Sequence, residues 1–124
     1  MSLNRASNVL LDPFSWSGGK TTLEGISCGL PVVTCPGKFM RARHAYAMLK
    51  MMGITDTIAH DKADYVAIAC RLGTDADFYA CMRTEITVNR QRLYNDVTCI
   101  RGLEDFYRRV VTARHSEQET MTRE

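Results

Sequence analysis

Between Asn8 and Gly37 the chain changes period three times, and this stretch limits its fold more than any other. Asn8-Val9-Leu10-Leu11-Asp12 is a short apolar run stopped by Pro13, the pattern of a buried strand. Ser15 to Lys20, with Gly18 and Gly19, reads as a loop. A helical pattern starts near Thr21, and Gly29 followed by Pro31 ends it. Pro31-Val32-Val33-Thr34-Cys35 is a second β-branched strand, closed by Pro36-Gly37. Two strands joined through a helix must run parallel, so the stretch is one βαβ unit of an α/β fold.

The rest of the chain reads as mostly helical. Ala45, Met48, Leu49 and Met52 share one helix face, which Gly53 terminates. Ile54 to Ala59 suggests a third short strand. Asp61 is placed to cap a helix that turns Tyr65, Val66, Ala69 and Leu72 inward, with Gly73 as its end. Thr74 opens the next helix, with Phe78, Tyr79, Met82 and Ile86 on one side. A last helix carries Ile100, Leu103, Tyr107, Val110 and Val111 at spacings of three and four. The 124 residues suffice for a single domain, 1–124, with a core over about 8–113 and a polar, flexible tail over 115–124.

Composition excludes several classes. A chain with 45% hydrophobic and 24% charged residues can bury a core, which rules out wholesale disorder. A formal charge of +2 does not call for a nucleic-acid partner. No apolar run is long enough to span a bilayer and no signal layout opens the chain, so a cytoplasmic location is expected. The five cysteines, Cys28, Cys35, Cys70, Cys81 and Cys99, form no C-x-x-C pair; they are expected to be reduced and mostly buried. His44, His60 and His115 are too scattered for a metal site.

The chemistry concentrates at the first βα turn. A strand that ends in a glycine loop opening a helix presents free backbone N–H groups and the positive end of a helix dipole to an incoming anion. Gly18 and Gly19 allow close approach, Thr21 and Thr22 add hydroxyls, and Lys20 could add a charge. Glu24, one turn further on, could accept from a ribose hydroxyl. The same residues also suit a plain tight turn with Thr21 capping a helix, and spacing alone does not choose between the two. Two nucleotide motifs are excluded. The P-loop needs a glycine where Phe14 stands, and no G-x-G-x-x-G dinucleotide fingerprint is present.

Three runs in one register, Val9 to Phe14, Gly18 to Glu24 and Gly29 to Gly37, resemble the C-terminal catalytic lobe of the O-GlcNAc-transferase family, whose members include the tetratricopeptide-linked SPINDLY type. Met52-Gly53-Ile54, Asp64-Tyr65-Val66, Leu72-Gly73-Thr74-Asp75 and Leu103 to Tyr107 are similar to later family segments, so the likeness covers residues 8 to 111.

The resemblance implies a partial, Rossmann-like C-terminal lobe of a GT-B glycosyltransferase: a small parallel sheet with several helices. It implies a UDP-sugar donor, UDP-N-acetylglucosamine, and O-linked transfer to Ser or Thr of a protein acceptor. The family's diphosphate turn falls on Gly18, Gly19, Lys20, Thr21 and Thr22, and its ribose-binding acid on Glu24. Lys20 departs from the small or polar residue of relatives. Arg43 matches an arginine that recurs in the family's helix after Pro36-Gly37, which makes it a candidate contact to donor or acceptor. The family needs no metal or other cofactor, and its catalytic histidine and lysine lie upstream, so no catalytic residue is expected in this chain. Partners implied are an upstream catalytic lobe and tetratricopeptide repeats. By GT-B topology the strand over 8–12 borders an upstream strand, so its edge here is expected to be covered by self-association into a homo-oligomer such as a dimer, or else to leave the chain only marginally stable. Two other readings stay open: a degenerate, non-catalytic lobe serving as an interaction module, and a GT-B transferase with another sugar donor.

Overall fold

Two short strands form the centre of the structure, a computed structural model that describes residues 2–94 and 96–121. Strand β1 (Leu10–Leu11) pairs in parallel with β2 (Val32–Val33), in the register Leu10 to Val32 and Leu11 to Val33. The predicted βαβ unit is therefore present, with α2 (Lys20–Ser27) as its crossover. Both strands are shorter than the runs over 8–12 and 31–35. Pro13 and Pro31 have no N–H to extend the ladder, and Thr34 turns to a different partner. It makes an isolated parallel bridge with Ile58, through Thr34 N to Thr57 O at 3.1 Å and Ala59 N to Thr34 O at 2.8 Å. This bridge is all that forms of the third strand expected over 54–59. The chain there is committed to turns: Ile54 N donates to Leu49 O, and Ile58 N to Thr55 O.

Helix α1 (Ser2–Ala6) precedes the unit and has no counterpart in the sequence reading. Helix α2 and α3 (His44–Met52) both end on left-handed glycines, Gly29 at φ 75° and Gly53 at φ 79°. In each case the following amide reaches back across the turn, Leu30 N to Gly25 O and Ile54 N to Leu49 O. This geometry needs a positive φ, which only glycine adopts without strain.

Helices α4 (Lys62–Thr74) and α5 (Ala76–Asn89) start on aspartates. Asp61 accepts from Asp64 N at 2.8 Å and Asp75 from Phe78 N at 2.9 Å. The cap of α4 was predicted. The boundary between the two helices was not, because Gly73 lies inside α4 and Asp75, rather than Thr74, opens α5. Asp75 gains an ion pair with Arg71 at 3.3 Å that a threonine could not make.

The core joins Ile26, Val32, Val33, Leu49, Met52, Tyr65, Leu72, Met82 and Ile86, drawn from α2, β2, α3, α4 and α5. Tyr65 and Leu72, a heptad apart, set the inward face of α4; Val66 falls outside it and is 57% exposed. The cysteines also depart from expectation: Cys28 and Cys35 are half-buried, whereas Cys70, Cys81 and Cys99 are exposed.

Contacts divide the chain into two units, Met1–Tyr94 and Asn95–Glu124. The second consists of α6 (Thr98–Met121). Its backbone stays helical through Met121, across much of the stretch read as a flexible tail; residues 122–124 lie outside the described residues. Ile100, Leu103, Phe106, Tyr107 and Val111 on α6 are each at least half exposed.

Candidate functional site

The loop between β1 and α2 is shaped by Asp12. Its side chain is buried (1% exposed), and three donors converge on it. Ser17 Oγ donates to Oδ2 at 2.8 Å, Gly18 N to Oδ1 at 2.8 Å, and Thr34 Oγ1 to Oδ2 at 2.7 Å. Several donors around one carboxylate offset the cost of removing it from water. Tyr65 Oη adds a bond to the Asp12 carbonyl at 3.0 Å. Asp12 thus ties the strand end, the loop and β2 together and does not face solvent.

Ser17 extends this network to the start of α3. Its Oγ accepts from Ala45 N at 2.9 Å, and its own amide donates to Arg41 O at 2.7 Å. His44 Nδ1 lies 3.2 Å from Ser17 O, a contact that requires the proton on Nδ1. Asp12, Ser17 and Thr34 were not predicted as a group. Their separations in sequence follow no motif, and the only signal was a polar residue ending an apolar strand.

Held this way, the loop delivers the chain to the N-terminus of α2. Gly19 is the N-cap, and no side chain caps the helix. Thr21 lies inside the first turn, so the reading of Thr21 as a helix cap does not hold. The first bond closing the helix is Leu23 N to Gly19 O, at 3.1 Å. The amides of Lys20, Thr21 and Thr22 precede it and point out of the helix end. A Cβ on Gly18 would sit 2.7 Å from Thr21 Oγ1 and 2.6 Å from Thr22 Oγ1, so the absence of a side chain there keeps the space between the two hydroxyls open. Nothing occupies the corresponding space at Gly19.

The structure brings Gly18, Gly19, Lys20, Thr21, Thr22 and Glu24 together but gives them different settings. Lys20 and Thr21 are exposed. Thr22 is buried, and its Oγ1 has no hydrogen-bond partner among the described residues. Lys20 Nζ lies 3.7 Å from Glu24 Oε1, with side chains 88% and 35% exposed. The Arg43 side chain engages other residues. It donates from Nη1 to Gly37 O at 2.9 Å and stacks over the Tyr46 ring at 4.6 Å, bracing the turn after β2. Arg41 lies over Phe39.

A separate groove of about 740 Å³ is lined by Pro36, Tyr46, Lys50, Ile58, His60 and Arg71, among others. None of the predicted site residues borders it. Its charged groups are partly committed, Arg71 to Asp75 and Asp64 to the His60 amide. The helix-end amides of Lys20 to Thr22 and the exposed Thr21 hydroxyl lie instead at the α2 turn. Burial, and then Asp61 and Asp64, push the Cys35 thiol above its ordinary pKa. Among the described residues no three His, Cys, Asp or Glu side chains gather to hold a metal, and no helix is long and apolar enough to cross a membrane.

Comparison with known proteins places this arrangement. The profile of glycosyl transferase family 41 matches residues 4–99. The UDP-N-acetylglucosamine--peptide N-acetylglucosaminyltransferase of Caenorhabditis elegans is 36% identical over 84 residues, covering 68% of this chain and 7% of that protein. A probable UDP-N-acetylglucosamine--peptide N-acetylglucosaminyltransferase SPINDLY of Solanum lycopersicum is 26% identical over 103 residues, covering 82% of this chain and 11% of its own length. Among solved structures, a K341M mutant of the Thermobaculum terrenum O-GlcNAc transferase superposes with a TM-score of 0.72 at 33% identity, over 82% of this chain and 20% of that one. The chain therefore spans a small part of the relatives it matches. Its fold is part of the Rossmann-like lobe of a GT-B glycosyltransferase, and the chain belongs to glycosyl transferase family 41.

Proposed function

We propose that this chain is the donor-binding part of a longer O-GlcNAc-transferase-type enzyme, and that the α2 turn holds the diphosphate of UDP-N-acetylglucosamine. The observation that carries this reading is the uncapped start of α2 on Gly19, directly after the βα loop. Helices α4 and α5 both open on an aspartate, whereas α2 leaves its first amides to a ligand. The printed activities of the relatives support the donor and a peptide acceptor.

In this reading the amides of Lys20, Thr21 and Thr22 and the Thr21 hydroxyl face the β-phosphate. They stabilise the negative charge that develops as the sugar–phosphate bond breaks, and they are held in place beforehand by the Asp12 network. Glu24 accepts from a ribose hydroxyl. Thr22 Oγ1, buried and without a partner beside Gly18, gains one if the loop yields to the ligand. The general base and the groups that read the uracil belong to the upstream part of the enzyme, so this chain alone gives no turnover. The parent acts on cytoplasmic proteins through upstream tetratricopeptide repeats.

The test is UDP binding by calorimetry, on this chain and on its full-length parent, with wild type and a Thr21→Ala/Glu24→Ala pair. Binding lost in the pair supports the reading. A folded parent that binds no UDP would make the lobe a non-catalytic module, and a parent that prefers another nucleotide would change the donor.

A further inference from the structure

The first turn of α2 carries a charge arrangement that the helix itself disfavours. Lys20 is its first residue, where a cation meets the positive end of the dipole, and no acidic residue lies in that turn. Its partner Glu24 follows four positions later, the less favourable order for an i,i+4 pair. At 3.7 Å and 88% exposure on the lysine side, the pair is loose. Local rules broken without a compensating contact mark functional positions. A second observation points the same way: Thr22 Oγ1, in the same turn, is buried and has no partner.

An anion at the helix end reconciles these features. Resting on the diphosphate reading above, we propose that Lys20 exchanges partners when the donor binds. Its ammonium leaves Glu24 for the terminal phosphate of a nucleoside diphosphate, and the released Glu24 carboxylate accepts from a ribose hydroxyl. Lys20 is then the residue by which this chain selects a diphosphate over a monophosphate. While the site is empty, the Glu24 carboxylate partly screens the Lys20 charge from the positive end of the helix. No covalent step is involved.

The exchange makes the two side chains interdependent, which a double-mutant cycle detects. The chain is titrated with UDP, UMP and inorganic pyrophosphate as wild type, Lys20→Met, Glu24→Gln and the double variant, with circular dichroism confirming that each is folded. Lys20→Met is expected to weaken UDP about 3- to 10-fold, the range of one exposed charge-assisted contact, and to leave UMP within about twofold. Glu24→Gln is expected to tighten pyrophosphate, which has no ribose, about twofold or more by freeing Lys20. That gain should vanish in the Lys20→Met background. Equal loss of UDP and UMP in Lys20→Met, or an undiminished gain in the double variant, overturns the exchange while leaving the diphosphate site standing. A wild-type chain and parent that bind neither UDP nor pyrophosphate remove both.

Discussion

Asp12 lies out of solvent, yet the shape of the site depends on it. Replacing it with alanine leaves Ser17 Oγ, Gly18 N and Thr34 Oγ1 without their acceptor in a buried space. Each orphaned group costs about 1–3 kcal/mol, so Asp12→Ala is expected to lose about 3 kcal/mol or more of stability by urea denaturation. Asp12→Asn keeps one acceptor and should fall between the two. Gly18 has a different role. A methyl group there meets the Thr21 and Thr22 hydroxyls at 2.7 and 2.6 Å. Gly18→Ala is therefore expected to weaken UDP binding at least tenfold by calorimetry and to lower the melting temperature, since the buried, β-branched Thr22 has little room to turn its hydroxyl away. The position of the glycine pair and the threonines at a βα turn was legible from the strand, glycine and helix signals in order, whereas their spacing alone did not separate a phosphate turn from a plain tight turn. The role of Asp12 was not, because its partners Thr34 and, through Ser17, Ala45 lie far along the chain and form no local pattern.

The helices show where local signals suffice and where packing decides. Gly29, Gly53 and Asp61 marked their helix ends correctly, since positive φ and N-capping are properties of the residue itself. Gly73 misled, because the α4 end is fixed by Asp75 and its pairing with Arg71, whose side chain also stacks on Phe78 at 3.8 Å. The Phe78 amide first, and Arg71 in support, hold the Asp75 carboxyl below its ordinary value of 3.8. A depressed carboxylate contributes stability above its unfolded value and loses it as pH falls through the folded one. Acidification below about pH 3.8 should therefore raise hydrogen exchange at the Phe78 amide first, and Asp75→Asn should remove that dependence. The strands were overcalled for two reasons: Pro31 lacks a ladder N–H, which is local, and Thr34 bridges to Ile58, which is tertiary.

After α5 the chain makes three contacts with carbonyls of earlier elements. Arg90 Nη1 donates to Ser27 O at 2.6 Å, Arg92 Nη1 to Met52 O at 3.2 Å, and Tyr94 Oη to Leu23 O at 2.9 Å. The arginines meet the negative ends of α2 and α3, the two helices whose N-termini flank the loop. Tyr94→Phe removes one such bond and is expected to cost about 0.5–1.5 kcal/mol in thermal or urea unfolding.

At the scale of the molecule, β1 pairs with β2 alone among the described residues, and α6 presents a row of apolar side chains. A sheet edge and an apolar helix face of this kind favour association. Light scattering over a concentration series is expected to give a mass above that of one chain, and a monodisperse monomer would contradict that expectation. The parallel βαβ core and the helical remainder could be read from periodicity, because both follow from local pattern. The division at Tyr94 could not, since it depends on contacts between residues distant in sequence.

The account rests on the α2 turn as a diphosphate site, and a nitrogen-15 NMR titration of the chain with UDP tests it most directly. It predicts shifts localised to the amides of Gly18 to Glu24, with UDP and UDP-N-acetylglucosamine preferred over other nucleotides. A folded chain whose Gly18 to Glu24 amides stay unmoved at millimolar UDP, or whose shifts fall instead on the groove by Lys50, His60 and Arg71, would contradict it.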